Sequence, residues 1–376
     1  MQGPPRRVLI RGVNWLGDAV MTTPALQRVR QALPQAHLTL LTPAKLLDLW
    51  SDHPSLDAVE SFSPADTLWS VAAKLRAGNF DTALVLPNSA RSALEAWLAR
   101  IEHRIGYARS GRGWLLTQPV PLPRNYGAMR KRSAGEIKHL TQTAGGSPDA
   151  SSPAQGAVHH IHHYLRLAAA LGADPSPVPP SLTVTSGEVE QARAQLLPAS
   201  VSSATMVLGL NPGAEYGPAK RWPAEKFAAV VRAVTPQLGA CVWLAFGAAA
   251  DRQLCEEIVR LTDGNVLNLA GKTSLRQLMA LLKLCRVVLT NDTGPMHLAA
   301  ALGTSVVVPF GSTSPELTAP GLPGDPRHRL LKSTVPCSPC FRRECPIDFR
   351  CMNEIRVERV SAAIRELLSR PPDATR

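Results

Sequence analysis

A segment late in the chain places residues suited to phosphate binding between a predicted strand and a predicted helix. The apolar run 287–289 is followed by Asp292, Thr293 and Gly294, and His297 falls on the first turn of a helix predicted at 296–302. A helix N-terminus offers backbone N–H groups and a positive dipole to an anion. An ordinary strand–helix turn with Asp292 or Thr293 as N-cap fits the segment equally well.

A carboxylate near the N-terminus is the candidate for acid–base chemistry. The strand predicted at 8–11 is followed by a loop containing Asn14, Trp15 and Asp18, and a helix is predicted from about residue 19 to 33. Open α/β sheets bind ligands at the carboxyl ends of their strands, where Asp18 can accept a proton from a hydroxyl nucleophile. Alternatively Asp18 is the N-cap of that helix, and both roles are compatible.

A lysine offers the positive charge that a leaving diphosphate needs. Lys220 and Arg221 follow the glycine-containing loop 213–218, and Pro223 is predicted as the first residue of a helix. A lysine there adds a full charge to the partial charge of the helix N-terminus. The sequence has no Asp-x-Asp pair of the kind that holds a divalent metal. We therefore expect that catalysis needs no cofactor.

Two clusters suggest a structural metal. Four cysteines have the spacing C-x2-C-x4-C-x5-C, namely Cys337, Cys340, Cys345 and Cys351. Thiols this close predict a structural zinc or iron–sulfur site, with reduced thiols or a local disulfide as the alternatives. The four histidines within 159–163 are a weaker candidate, because on a helix only residues three or four apart share a face.

The elements that must position these residues alternate between short apolar runs and amphipathic segments. Strands are predicted at 8–11, 38–41, near 59, 82–86, 104–107, 206–210, 241–246, 266–269, 287–289 and 305–310. Helices are predicted between them at 22–33, 68–77, 91–100, 158–172, 223–234, 250–261, 275–284 and 296–302. This alternation predicts an α/β protein with two Rossmann-like, doubly wound domains.

The composition limits where in the cell the protein is expected and which classes of partner it is expected to bind. No run approaches the roughly 20 apolar residues of a membrane-spanning helix, and the run 8–10 is too short for a signal-peptide core. We expect a cytoplasmic protein. The net charge of +12 suits nucleic acid, an anionic membrane surface or phosphorylated substrates. No nucleic acid is expected, because aromatic-studded basic strands and zinc-finger spacings are missing from the sequence.

Four short motifs together resemble a known family. They are residues 14–18 with 23–26, 211–223, 291–297 and 311–315. In this order they resemble the ADP-heptose:lipopolysaccharide heptosyltransferases of glycosyltransferase family 9, most closely the heptosyltransferase II branch. The resemblance spans nearly the whole chain. It implies the GT-B fold, in which two Rossmann-like domains face each other.

The resemblance also implies a reaction and a set of site residues. The reaction is inverting, metal-independent transfer of heptose from ADP-L-glycero-D-manno-heptose to heptosyl-Kdo-lipid A in lipopolysaccharide inner-core synthesis, at the cytoplasmic face of the inner membrane. Asp18 would be the catalytic base and Lys220 the catalytic cation. The implied ADP-heptose ligands are Lys220, Arg221, Asp292, Thr293, Gly294 and His297.

The domain roles follow from the same resemblance. Residues 1–180 would bind the acceptor and 181–356 the ADP-sugar, and a Pro-rich linker would allow the domains to close. Residues 109–157 are predicted to form a mobile loop whose basic part faces the acceptor. The last helix, within 357–376, could cross back to the first domain. The expected acceptor ligands are Asn14, Trp15, Arg130, Lys131 and Arg132.

One departure from the family leaves the ribose contact open. Some members have a Glu after the strand matching 241–246, but here residues 247–251 read Gly-Ala-Ala-Ala-Asp. Asp251 or backbone groups are the candidates for contacting the ribose in place of that Glu. Two other functions remain: a GT-B transferase for another acceptor or nucleotide sugar, and a noncatalytic protein that binds a nucleotide sugar or RNA.

Overall fold

The computed structural model describes residues 5–122, 129–142, 158–262 and 264–371. The chain forms two compact units, one of Met1–Tyr126 with Val158–Leu182 and one of Gly127–Ala157 with Thr183–Arg376. The boundary predicted after residue 180 lies close to the end of the first unit. The described residues 129–142, which were predicted in the first domain, belong to the second unit.

The described residues contain twelve strands and thirteen α-helices. The strands are β1 Arg7–Arg11, β2 His37–Pro43, β3 Ala58–Phe62, β4 Thr82–Val85, β5 His103–Tyr107, β6 Gln118–Val120, β7 Met206–Asn211, β8 Cys241–Ala245, β9 Val266–Asn268, β10 Val287–Thr290, β11 Ser305–Phe310 and β12 Arg329–Lys332. The helices are α1 Leu16–Ala32, α2 Leu68–Ala77, α3 Ala90–Leu98, α4 Ala134–Gln142, α5 His160–Ala169, α6 Ser186–Leu196, α7 Ala224–Val234, α8 Arg252–Arg260, α9 Leu275–Leu284, α10 Gly294–Ala301, α11 Pro315–Thr318, α12 Arg350–Glu354 and α13 Val357–Leu368. Short 3₁₀ turns include Arg112–Leu115 and Pro218–Lys220.

The first unit is built on a parallel sheet with strand order β3-β2-β1-β4-β5-β6. The chain moves outward from β1 to β3 and then crosses to β4, so the switch point lies between β1 and β4. Leu9 and Val85, on these two strands, pack on one face beneath Val71 of α2 and Ala96 of α3. The strands are apolar on both faces, as in a parallel sheet with helices on each side.

Helix α1 tolerates a proline in its interior because a side chain replaces the missing donor. Pro24 has no N–H to bond to the carbonyl of Val20. The hydroxyl of Thr23 donates to that carbonyl at 2.8 Å instead. Helix α5 packs along α1 and thereby holds its own N-terminal residues beside the start of α1.

The second unit repeats the pattern, with strand order β12-β11-β10-β7-β8-β9 and a switch point between β7 and β10. Leu210 and Leu289 lie in one buried cluster with Phe227 of α7 and Ile364 of α13. The predicted pair of doubly wound Rossmann-like domains is therefore confirmed.

Two predicted parts of the chain can be compared with the described residues. Helix α13 belongs to the second unit, where it packs against α7 and β11. The segment 109–157 is not a structureless loop, because it contains the turn Arg112–Leu115, strand β6 and helix α4. Residues 123–128 and 143–157 of the predicted mobile loop lie outside the described residues. None of the described helices is long and apolar enough to span a membrane.

Candidate active site

Lys220 and Asp292 form an ion pair at the switch point of the second sheet. Asp292 follows β10, and Lys220 ends a 3₁₀ turn after β7, so both lie at the carboxyl ends of neighbouring strands. The Nζ of Lys220 lies 2.7 Å from Oδ2 of Asp292 and 3.2 Å from its carbonyl oxygen. The side chains are 14% and 5% exposed. A cation is thus fixed where open α/β sheets bind their ligands.

Several groups keep Asp292 ionised. Burial alone would raise the pKa of its carboxyl. The ammonium of Lys220, the hydroxyl of Thr313 and the nearby His297 outweigh burial and hold this pKa below its usual value. Thr313 donates to Oδ2 at 2.6 Å. Thr313 lies in the motif 311–315 quoted for the family resemblance, but no separate role was predicted for it.

Asn291 ties together the two loops that present this pair. Its side-chain amide donates to the carbonyl of Pro212 at 2.7 Å, and its Oδ1 accepts from the backbone N–H of Trp222 at 3.1 Å. Asn291 is fully buried. It therefore fixes the loop of Lys220 to the loop of Asp292, and an apolar side chain could not make both bonds.

Helix α10 begins beside the ion pair. Thr293 is its N-cap, and its hydroxyl makes no capping hydrogen bond to the part of the chain that the structure describes. Gly294 is the first helical residue, and His297 is buried one turn into the helix. The predicted ADP-heptose ligands Asp292, Thr293, Gly294 and His297 therefore lie together with Lys220.

Arg221 points to a different carboxylate. Its guanidinium lies 3.4 Å from Oδ1 of Asp251, and the Arg221 side chain is 42% exposed. Oδ2 of Asp251 accepts from the backbone N–H of Ala248 at 3.1 Å. Asp251 thus lies after β8, and Arg221 pairs with it.

The loop that ends at Lys220 packs against the segment 336–351, which we call the cysteine-containing segment. Gly217 has φ +152°, and a Cβ there would lie 2.5 Å from the carbonyl oxygen of Arg343. That carbonyl accepts from the N–H of Ala219 at 2.9 Å, and the hydroxyl of Tyr216 donates to the carbonyl of Phe341 at 3.0 Å. Close backbone contact of this kind requires glycine. The sequence patterns did not predict this support.

Asp18 lies in a second site, within the first unit. Helix α1 begins at Leu16 with Trp15 as its N-cap, so the alternative that Asp18 caps this helix is wrong. The hydroxyl of Tyr164 donates to Oδ1 of Asp18 at 3.5 Å, and Nδ1 of His160 lies 4.0 Å from the same oxygen. The Asp18 side chain is 31% exposed, so a hydroxyl substrate can reach it.

Asn14 and Trp15, two of the predicted acceptor ligands, are both exposed beside Asp18. Behind them, Arg11 is buried with its Nε 2.8 Å from Oε2 of Glu95, and its Nη1 lies 3.5 Å from Oδ1 of Asn14. The Nζ of Lys45 lies 5.6 Å from the Trp15 ring centre. The buried Arg11–Glu95 pair thus supports the loop that carries Asn14 and Trp15.

The histidine run has several structural roles. The Nδ1 of His159 accepts from the N–H of Ile161 at 3.4 Å and so caps α5. The carbonyl of His163 accepts from the buried hydroxyl of Tyr107 at 2.8 Å. Burial, aided by neighbouring cationic groups, lowers the pKa of His163 to about 4, so this imidazole is neutral at physiological pH.

The three predicted basic acceptor ligands have different environments. Arg132 is only 1% exposed, and its Nη1 donates to the carbonyl of Pro336 at 3.0 Å. Its predicted role as an exposed acceptor ligand is therefore wrong, because it anchors helix α4 to the cysteine-containing segment. Arg130 is exposed but paired with Glu136 at 2.6 Å. Lys131 is exposed.

The predicted structural metal site lies in the segment 337–351, where three of the four cysteines are buried. Among the residues that the structure describes, no three His, Cys, Asp or Glu side chains are arranged to hold a metal ion. Cys337, Cys340 and Cys351 are buried thiols. Burial, together with the neighbouring cysteines, raises the pKa of Cys337 to about 11 and that of Cys351 to about 12.

Comparison with known proteins identifies the family to which the chain is similar. The sequence pattern of "Glycosyltransferase family 9 (heptosyltransferase)" matches residues 68–132 and 148–349. Lipopolysaccharide heptosyltransferase 2 of Escherichia coli K12 is 30% identical over 331 residues, which cover 84% of this chain and 85% of that protein. Lipooligosaccharide heptosyltransferase 2 of Haemophilus ducreyi is 28% identical over 326 residues, covering 84% and 86% of the two chains.

A solved structure extends the similarity to the fold. The structure of E. coli ADP-heptose LPS heptosyltransferase II matches with a TM-score of 0.75 and 27% identity, over 96% of this chain and 98% of that one. The pair of parallel six-stranded sheets is therefore the GT-B arrangement of that structure.

Proposed function

The chain belongs to glycosyltransferase family 9, the heptosyltransferases, and we infer from this that it transfers heptose from ADP-heptose to a lipopolysaccharide inner-core acceptor. The acceptor we propose is heptosyl-Kdo-lipid A, since the similar proteins are named heptosyltransferase 2. The donor we propose is ADP-L-glycero-D-manno-heptose.

The observation on which the donor site rests is the Lys220–Asp292 pair at the N-terminus of α10. Its Nζ–Oδ2 distance of 2.7 Å holds the ammonium beside the backbone N–H groups at the start of the helix. Diphosphate oxygens would accept from Lys220 and from the N–H groups around Thr293 and Gly294. The carboxylate of Asp292 would in turn accept from hydroxyls of the sugar.

The acceptor site rests on Asp18. Its carboxylate takes the proton of the acceptor hydroxyl while that oxygen attacks the anomeric carbon of heptose. The bond from this carbon to the diphosphate breaks, and ADP leaves with the bonding electron pair. One displacement inverts the anomeric centre. Tyr164 orients the carboxylate through its hydrogen bond at 3.5 Å.

No divalent metal is needed in this scheme. The charge that develops on the departing diphosphate is met by Lys220 and by the dipole of α10. Both are already in position in the folded chain, so their stabilising effect requires no reorganisation. EDTA should therefore leave the transfer rate unchanged.

The acceptor is an anionic glycolipid, and the chain carries a net charge of +12. We propose that the protein associates peripherally with the cytoplasmic face of the inner membrane and that Asn14, Trp15, Arg130 and Lys131 contact the acceptor. Arg130 would have to exchange Glu136 for a ligand phosphate, whereas Lys131 is already exposed.

The test is a transfer assay with defined acceptors. Purified protein with ADP-heptose and EDTA should add one heptose to heptosyl-Kdo-lipid A and none to Kdo-lipid A. Transfer to Kdo-lipid A alone would reassign the acceptor. ADP-heptose binding without transfer to either lipid would favour a transferase for another acceptor. Tighter binding of a UDP-sugar than of ADP-heptose would contradict the proposed donor.

A further inference from the structure

Two tryptophans form an exposed pair on the surface of the first unit. Trp97 lies near the end of α3 and is 43% exposed, and Trp114 lies in the turn Arg112–Leu115 and is 71% exposed. Their ring centres are 6.1 Å apart in an edge-to-face arrangement. Large apolar side chains grouped in water are unfavourable in a folded monomer, and such a patch usually marks a contact surface.

The turn that presents Trp114 is held rigidly from below. Arg112 is 1% exposed, and its guanidinium donates to the carbonyls of Tyr107 at 3.0 Å and Ser89 at 2.9 Å. Leu115 packs in a buried cluster with Ala93 of α3. The backbone that carries Trp114 is therefore rigid, so little conformational entropy is lost when this side chain binds a partner.

A third exposed tryptophan lies on the neighbouring helix α2. Trp69 on α2 is 69% exposed, and Arg76 lies seven residues further along, on the same face of that helix. Arg76 reaches the end of α3, where its Nη2 donates to the carbonyl of Leu98 at 2.6 Å. We call Trp69, Trp97 and Trp114, with the exposed cations of α2 and α3, the tryptophan face.

The exposed charged side chains on α2 and α3 themselves are all positive, and the nearest acidic residues are Asp66 before α2 and Glu102 after α3. Both α2 and α3 are described in full, and their exposed charged side chains are Lys74, Arg76 and Arg91. Their single acidic residue, Glu95, is buried against Arg11 and Arg91. Tryptophan favours the headgroup level of a bilayer, and anionic lipids attract lysine and arginine.

We propose that the tryptophan face docks on an anionic lipid bilayer. A second copy of the chain fits less well, because a symmetric dimer would place the cations of this face against themselves. The docking face rests on the proposed function, since it names the surface that would meet the membrane containing the lipid acceptor.

The experiment is vesicle flotation of the full chain with phosphatidylglycerol-containing vesicles and with phosphatidylcholine vesicles. The variant Trp97→Ser/Trp114→Ser should bind anionic vesicles about tenfold or more weakly than wild type. Trp69→Ser should weaken binding in the same direction. Leu47→Ser, which removes an exposed apolar side chain elsewhere in the first unit, should bind like wild type. Thermal unfolding checks that each variant folds.

Three results would overturn the docking face. They are wild-type binding that does not prefer anionic vesicles, equal binding by the double variant, and a wild-type dimer that becomes monomeric in the double variant while vesicle binding is unchanged. Transfer to a water-soluble, deacylated acceptor is measured in parallel. That assay tests the proposed function separately, because loss of docking leaves soluble transfer intact.

Discussion

Lys220 and Asp292 are joined by a salt bridge of 2.7 Å although the loops that present them are 72 residues apart in the chain. The pair lies at the switch point of a parallel sheet and beside the start of a helix, so its cation is available to a diphosphate. Because Asp292 is almost fully buried, removing either partner alone would leave the other charge uncompensated.

Replacing the lysine should affect binding and folding together. Lys220→Met removes the cation that faces the diphosphate and leaves the buried carboxylate of Asp292 without its counter-charge. Breaking one partner of a buried pair costs about 3 kcal/mol of unfolding free energy. We expect ADP-heptose affinity to fall at least about tenfold, measured by calorimetry.

The double variant Lys220→Met/Asp292→Asn separates these effects. Its unfolding free energy should recover toward wild type, since no unpaired charge remains, while ADP-heptose binding stays weak. Recovery of binding in the double variant would show that Lys220 does not contact the donor.

The acid sensitivity of this pair has a definite sign. The folded-state pKa of Asp292 lies below its usual value, because the lysine, the Thr313 hydroxyl and His297 outweigh burial. Its contribution to stability is therefore complete above about pH 4 and is lost as the pH falls through the lowered folded-state pKa. Urea unfolding from about pH 6 to about pH 3 should show the stability gap between wild type and Asp292→Asn narrowing. A constant gap would contradict the lowered pKa.

Tyr164 is a positioning residue for the proposed base. Tyr164→Phe removes the hydrogen bond to Asp18, and kcat should fall about three- to tenfold, since a long hydrogen bond to the carboxylate contributes on the order of 1 kcal/mol. The KM for ADP-heptose should not change. Tyr107→Phe is the matched control, because its hydroxyl bonds to the carbonyl of His163 and not to Asp18. Equal kcat losses in both variants would indicate a general structural effect.

Gly217 should be intolerant of any side chain. A Cβ would lie 2.5 Å from the carbonyl oxygen of Arg343, so Gly217→Ala must shift the loop that ends at Lys220. We expect the KM for ADP-heptose to rise about tenfold. Gly239→Ala is the control, since a Cβ at that exposed position would meet nothing within 4 Å. An unchanged KM in Gly217→Ala would show that the loop adjusts without moving Lys220.

The sequence predicted the periodic elements well. Helices α2 and α9 and strand β11 have the predicted bounds, because apolar periodicity and N-caps such as Thr67 and Ser274 mark their limits. Helix α6 was missed, since it buries only Ala192 and has a weak apolar pattern. Predictions that rest on local periodicity succeed when one face of an element is clearly apolar.

Within the candidate sites, the sequence grouped only those residues that lie close together along the chain. Asp292, Thr293 and His297 are neighbours in sequence, so their grouping was evident. Tyr164 lies 146 residues from Asp18, and the contact exists because α5 packs along α1. Nothing local in the sequence identifies such a partner.

The burial of Arg132 was likewise hidden from the sequence. A run of three basic residues looks like a solvated surface, but the last side chain, that of Arg132, enters the cysteine-containing segment and donates to the carbonyl of Pro336. Tertiary packing, which the sequence pattern does not encode locally, decides which of several similar charges is buried.

The most direct measurement compares wild type and Asp18→Asn in heptose transfer from ADP-heptose to heptosyl-Kdo-lipid A with EDTA present. Asparagine keeps the shape of the side chain but cannot accept the proton. We predict that wild type transfers heptose and that the variant is slower by about a hundredfold or more, while its affinity for ADP-heptose is unchanged. Equal transfer rates in the two proteins would contradict the assignment of Asp18 as the base.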